Sequence, residues 1–409
     1  MRPREIRPKI YSVGAVDWDR RLFDCLIPLP DGTSYNSYLI QGSQKTALID
    51  NVDPPMETVL INNLDALGVS GLDYLIASHA EQDHSGSMAS VLEKYPGAKV
   101  VTTPKCKDLL MDLLLIPQER FITVNDGETI SLGDKTLEFI HAPWVHWPET
   151  MLTYLKEDKI LFPCDLCGSH IATTDLYVTD EGHVYEAAKR YYAEIMMPFR
   201  ANIQKHLERL AGYDIDIIAP SHGPLHNRPE FIMGAYRHWV LDEPKNVVVL
   251  PYVSMHGSTR RMVEHFVSAL VTRGVAVQQF DLSVTDVGKL AMALVDAATL
   301  VVGAPTILAG PHPQVAYAAI LANAIRPKLK FVSIIGSYGW GGKTIEQLCA
   351  MIPNLKAEVL DPVLVKGFPK EEDFNALDSL AETIAQKHRE NQFADTDKFT
   401  IQIEEKGGR

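Results

Sequence analysis

The sequence predicts an α/β protein in two parts, a mixed α and β half followed by a doubly wound parallel sheet. Three observations predict it. Up to about residue 240, short alternating strand patterns with Gly and Asp turns are interspersed with helical stretches. From Asn246 onward the rhythm becomes apolar strand, Ser/Gly loop, helix, which is the pattern of a parallel sheet covered on both faces. Between the two lies a short polar stretch with a proline, Asp242-Glu243-Pro244-Lys245. The predicted division is 1–244, 245–395 and a polar tail at 396–409, and 409 residues leave room for two or three domains.

In chain order, IYSVGAVDW, SYNSYLIQG and KTALIDN read as strands separated by turns, and ETVLINNLDALGV as a helix. Tyr74-Leu75-Ile76-Ala77 is a buried strand, SMASVLEKY an amphipathic helix, AKVVTTP a strand and KCKDLLMDLLL a helix. RFITVNDGETISLGDKTLEFIHA reads as paired strands with turns at Asn125-Asp126-Gly127 and Gly133-Asp134. Gly182 to Gly212 is helical, with Tyr185, Ala188, Tyr192 and Ile195 at helical spacing and a break expected at Pro198. DIDIIAPSHGP is strand then loop, and NVVVLPY, AATLVVGAPT and LKFVSIIGSYGWGG are the core strands of the second part.

Composition narrows the class. Hydrophobic residues make up 46% and charged residues 22%, as in ordinary globular proteins. A net charge of −13 argues against general nucleic-acid binding. No apolar run reaches the ~18 residues of a membrane span, and no apolar segment follows the basic N-terminus as a secretory signal requires. Five scattered cysteines form no disulfide framework, so a soluble cytoplasmic protein is expected.

The chemistry is concentrated in LDYLIASHAEQDHSG, from Leu72 to Gly86. His79, Glu81, Asp83 and His84 crowd the end of the strand, and alternation along an extended backbone would send His79, Glu81 and Asp83 to one side. Four ionisable side chains there suit more than one metal ion better than a polar loop. Two imidazoles with two carboxylates suit iron or manganese at least as well as zinc. Three more strand ends carry candidate ligands: His146 in HWPETM, Asp165 in ILFPCDLCG and His222 in DIIAPSHGP. His141, His226 and the pair Cys164 and Cys167 read as structural neighbours, the cysteines packing as small apolar residues. In the second part, Ser254-Met255-His256-Gly257-Ser258-Thr259 follows a strand and opens a helix, so backbone N–H groups and hydroxyls there can wrap a phosphate. Gly303 through Leu308, with Pro305, Thr306, Ile307 and Leu308, and the loop Ser337, Tyr338, Gly339, Trp340, Gly341, Gly342 end the next two core strands on the same edge.

HxExDH after a strand resembles the metallo-β-lactamase superfamily motif HxHxDH with Glu81 in place of its middle histidine, and in that form it resembles the flavodiiron proteins. SxxGST and GSYGWGG likewise resemble the flavodoxin-like domain of that family. The resemblance runs from about residue 8 to 390. It implies an N-terminal αββα metallo-β-lactamase-like sandwich and a C-terminal flavodoxin-like sheet, with two iron ions and one FMN per chain. It places His79, Glu81 and His146 on one iron, Asp83, His84 and His222 on the other, and Asp165 as the bridge. Tyr192 is a candidate neighbour of the metals, Asp24 stands where the family commonly has a histidine, and Leu308 where it often has an asparagine. The implied activity is reduction of dioxygen to water, or alternatively of nitric oxide to nitrous oxide. A dinuclear metallohydrolase fused to a flavodoxin-like domain is the remaining enzyme reading. With no rubredoxin-type CxxC pairs after residue 390, the expected donor is a separate rubredoxin-like protein or a reduced deazaflavin. The expected assembly is a head-to-tail homodimer or a dimer of dimers.

Overall fold

The computed structural model describes residues 2–395, and the tail at 396–409 lies outside them. The chain divides into two compact units: the residues up to Tyr191 with Phe199–His238, and Tyr192–Pro198 with the chain from Trp239.

The first unit is built on two sheets. Its seven-stranded sheet has the order Arg4–Arg7, Ile10–Ser12, Tyr38–Gln41, Thr46–Ile49, Tyr74–Ile76, Lys99–Thr102, Phe121–Thr123. The first three pairings are antiparallel and the rest parallel. The five-stranded sheet runs Thr129–Ser131, Thr136–His141, Met151–Leu155, Ile160–Phe162, Ile217–Ile218. Strand alternation sorts the core. Ile40, Ile49, Ile76 and Val101 meet Leu137, Phe139, Met151 and Phe162 between the sheets. Their neighbours Leu39, Leu48, Leu75 and Val100 face the other way, onto Leu60, Leu64, Met88, Val91 and Leu110 of the covering helices. Each such side chain taken out of water contributes roughly 1.5–3 kcal/mol.

Local chemistry sets the element ends. Helix Pro104–Leu114 starts where Thr103 accepts from the Cys106 N–H, with proline at the first turn, and ends at Leu115 in the left-handed region. The strand expected over IYSVGAVDW is broken in two at Gly14, where a Cβ would stand 2.1 Å from the Tyr35 carbonyl oxygen. The helical span expected from Gly182 to Gly212 is interrupted too. Helix Glu181–Tyr191 passes through a wide π turn, Tyr192–Met196, and a tight turn, Met197–Phe199, before Arg200–Leu210. Pro198 has no N–H to continue the ladder.

The second unit is a parallel sheet in the order Ala276–Asp281, Lys245–Tyr252, Ala297–Ile307, Phe331–Tyr338, edged by Glu358–Val359 and Val363–Lys366. One face packs Val248, Leu250 and Val301 on Met262, Phe266 and Leu270 of helix Ser258–Thr272 and on Leu377, Ala381 and Ile384 of helix Glu371–Glu390. The strand order reverses between Lys245–Tyr252 and Ala297–Ile307, so a crevice opens at their carboxyl ends. Among the described residues no helix is long and apolar enough to cross a membrane.

Candidate functional site

The strand Tyr74–Ile76 stops short of the motif it was expected to carry, and Asp83 and His84 sit on a short helix, Gln82–Ser85. Strand alternation therefore does not aim these side chains. Two buried carboxylates do: Asp50 accepts from the Ser78 N–H at 2.8 Å and Glu149 from the Ala80 N–H at 3.1 Å. The Asn51 N–H donates to the His84 carbonyl at 2.7 Å and the Ser85 hydroxyl to the Ala80 carbonyl at 2.9 Å, closing the turn. On the far wall, Asn36 donates to the carbonyls of Pro220 and Gly223, each at 2.8 Å, and holds the loop of His222.

All seven predicted ligands converge, in two groups around Asp165. Asp165 Oδ2 lies 3.1 Å from His79 Nε2 and 3.5 Å from His146 Nε2, and Glu81 Oε2 lies 3.3 and 3.1 Å from the same two nitrogens. Asp165 Oδ1 lies 3.1 Å from His84 Nε2 and 3.4 Å from His222 Nε2. Asp83 completes that side, 3.4 Å from His84 Nε2 and 3.2 Å from His222 Nε2. His84 points into the cluster.

Electrostatics and satisfaction both point to cations. Burial opposes charge on Glu81 and Asp165, yet the surrounding imidazoles hold both carboxyls below their ordinary range. Burial likewise lowers His146 and His222, but Asp165 with Glu81 and Asp83 raises them, to about 9 and about 10. Beyond these mutual imidazole–carboxylate contacts, both oxygens of Asp83 and of Asp165, and His84 Nε2, are buried without another hydrogen-bond partner. Leaving such groups unpaired costs roughly 1–3 kcal/mol each, more when charged. A set of three carboxylates and four imidazoles fits two divalent cations that would engage all of these atoms. His222 is preset for this, because its Nδ1–H donates to the Ser34 carbonyl at 2.6 Å and leaves Nε2 facing inward.

Sequence reasoning missed several neighbours. The tyrosine at the cluster is Tyr191 rather than Tyr192. Its ring lies 5.8 Å from His222, and burial followed by Asp165 keeps its hydroxyl protonated. Tyr192 belongs with the second unit, where its hydroxyl donates to the Trp239 carbonyl at 3.1 Å. His170 is buried 4.8 Å from the His222 ring and shares a 2.8 Å hydrogen bond with Thr33. No motif marked it. Asp50 was visible only as an acid at a strand end. Asp24, on left-handed backbone, has its carboxyl raised by partial burial and then by the charges of Glu81 and Asp83. His141 and His226 turn to the carbonyls of Val124 and Cys167, each at 3.2 Å. Cys164 and Cys167 are buried free thiols.

In the second unit a cavity of about 280 Å³ opens at the strand ends, lined by all three predicted loops. Ser254, Met255, His256, Ser258 and Thr259 border it, with Pro305, Thr306, Ser337, Tyr338, Gly339 and Trp340, and Gly367 joins unforeseen. Gly257 takes φ +90° ahead of helix Ser258–Thr272, a turn that suits glycine. The Ser254 hydroxyl accepts from the Arg260 N–H, and Thr259 shares a 3.1 Å bond with Ser337. Hydroxyls and a helix N-terminus fit a phosphate, and Trp340, 90% exposed, is free to cover a ring. Gly257, Ile307, Leu308, Gly341 and Gly342 do not line the cavity, and Leu308 is 93% exposed.

The fold class is thus a metallo-β-lactamase-like sandwich followed by a flavodoxin-like sheet, and the site is a buried cluster suited to two metals. A family model described as ODP family beta lactamase matches residues 33–223. The nitric oxide reductase of Moorella thermoacetica is 36% identical over 392 residues, covering 94% of this chain and 98% of its own. The anaerobic nitric oxide reductase flavorubredoxin of Aliivibrio salmonicida is 31% identical over 374 residues, 89% of this chain and 75% of its own. Among solved structures, rubredoxin oxygen:oxidoreductase of Desulfovibrio gigas matches with a TM-score of 0.91 at 28% identity, over 96% of this chain and 100% of that one. The flavodiiron protein of Giardia intestinalis matches at 0.89 and 27%, over 96% and 98%. The chain belongs to the flavodiiron protein family and is an oxidoreductase.

Proposed function

We propose that the protein takes electrons from an external donor, a rubredoxin-like protein or a reduced deazaflavin, and uses them to reduce dioxygen to water. The observation that carries this reading is Asp165, which offers one oxygen to each half of the cluster. His79, Glu81 and His146 would hold one iron and Asp83, His84 and His222 the other, with Asp165 shared. FMN would sit with its phosphate on Ser254–Thr259 and its ring near Tyr338 and Trp340. When bound, an iron pair supplies two electrons together to a diatomic ligand, and FMN relays electrons from the donor. The chain's part is to hold the ligands rigidly, keep bulk water from Asp83, His84 and Asp165, and hold the Tyr191 proton beside Asp165. Reduction of nitric oxide to nitrous oxide is the second reading, supported by two relatives that are named nitric oxide reductases. We infer a head-to-tail dimer in which one chain's FMN serves the partner's metals.

Stopped-flow mixing of the photoreduced protein with each gas tests the choice. Faster flavin reoxidation by dioxygen supports the first reading, and faster reoxidation by nitric oxide the second. Two zinc ions and no yellow colour would instead favour a hydrolase and overturn both.

A further inference from the structure

The two halves of the cluster are unequally supported, and the inequality passes through one cysteine. A histidine that ligates a metal through Nε2 keeps its proton on Nδ1 and needs an acceptor there, most often a carboxylate, carbonyl or water. His222 has the Ser34 carbonyl at 2.6 Å, while the Asp50 carboxylate stands 3.9 Å from His84 Nδ1, an ion-pair distance beyond hydrogen-bond reach. His79 Nδ1 instead faces Cys164 Sγ at 3.6 Å. A thiol sulfur is a weak acceptor, so His79 is the less basic ligand. The same half is also the more open one. The side chains of Glu81 and His146 are 14% and 15% exposed, with His79 itself fully buried, against 6%, 2% and 1% for Asp83, His84 and His222.

We propose that Cys164 is a positioning residue that makes the His79–Glu81–His146 position the weaker, exchangeable metal site of the pair. This rests on the dinuclear reading above. The sulfur orients His79 and leaves its imidazole a poorer donor than an oxygen acceptor would. Asparagine at 164 would reach His79 with an amide carbonyl, since its Oδ1 extends further from Cβ than Sγ does, and should strengthen the site. Alanine would remove the partner and weaken it.

The test is anaerobic titration of the metal-free, FMN-loaded protein with cobalt(II), followed by its visible absorption and by competition with a chelator. The wild type should bind two ions in two resolved steps. Cys164→Asn should tighten the weaker step by about tenfold and Cys164→Ala loosen it by about as much, with the tighter step unmoved. FMN content and melting temperature of each variant check that it folds; if one does not, the wild-type titration and the other variant decide. Two equal steps in the wild type, or a weaker step that ignores both substitutions, would overturn the proposal. A sulfur-to-cobalt charge-transfer band in the wild type would overturn it too, by making Cys164 a ligand. Failure of the wild type to bind two ions at all would instead sink the dinuclear reading.

Discussion

Asp165 joins two sets of imidazoles that would otherwise be separate clusters, because its two carboxylate oxygens point to different halves. Removing it leaves each half short of a donor and leaves two close cations without their shared counter-charge. Asp165→Ala should therefore lower turnover by on the order of 100-fold or more and bring bound iron below two per chain. FMN should stay bound, because its loops belong to the other unit. Parallel iron assay and flavin absorbance check this, and full iron with full turnover would count against the bridge. Tyr191 gives a second expectation at this scale. Tyr191→Phe should keep both cofactors while slowing turnover, whereas Tyr192→Phe, which loses the hydroxyl's bond to the Trp239 carbonyl, should leave turnover nearly unchanged. Metal content, flavin content and steady-state rate separate the two.

Among the elements, the central strands of the second unit tolerate little. A Cβ at Gly336 would stand 2.0 Å from the Ala304 carbonyl oxygen, across the pairing of Ala297–Ile307 with Phe331–Tyr338. Gly336→Ala should destabilise that unit by on the order of 3 kcal/mol, seen as a lower unfolding midpoint and weaker flavin retention. Helix Glu371–Glu390 contributes an acid sensitivity. Its His388 is buried between the Thr299 hydroxyl at 2.7 Å and the Asn246 side-chain amide oxygen at 2.9 Å, and burial lowers its pKa from 6.5 to about 4. Between those values the unfolded chain binds a proton that the folded chain refuses. Stability is thus complete above pH 6.5 and falls as pH drops toward 4, by on the order of 2 kcal/mol. Urea unfolding across that range should show this slope in the wild type and a shallower one in His388→Gln.

For the whole molecule, the metal ligands and the flavin loops lie in different units, each at the carboxyl ends of its own strands. A C2 dimer that pairs each flavin with the partner's metals makes both contacts at once. Mixing separates this from transfer within a chain. An Asp165→Ala chain combined with a chain altered at Ser254 and Thr259 should recover turnover on subunit exchange, because one mixed pair is intact. If exchange is demonstrated by mass and no turnover returns, the head-to-tail arrangement is wrong.

The strand and helix periods, the ligand types and their places at strand ends were all legible in the sequence, because periodicity and side-chain chemistry are local properties. The sequence by itself thus determined the α/β class, the seven converging donors and the three loops at the second sheet's edge. Tertiary structure alone decided which backbone carries the donors and what supports them. Asp83 and His84 leave the strand for a short helix, which brings Asp83 to 3.2 Å from His222 Nε2. Tyr191 and Tyr192 are adjacent in sequence, yet the π turn beginning at Tyr192 separates their environments. Asp50, His170 and the Cys164–His79 contact join residues 28 to 171 positions apart, and Asp50 meets both Ser78 and Ser221. No local pattern encodes such pairs, because they exist only once two sheets have packed and buried polar groups must find partners within reach.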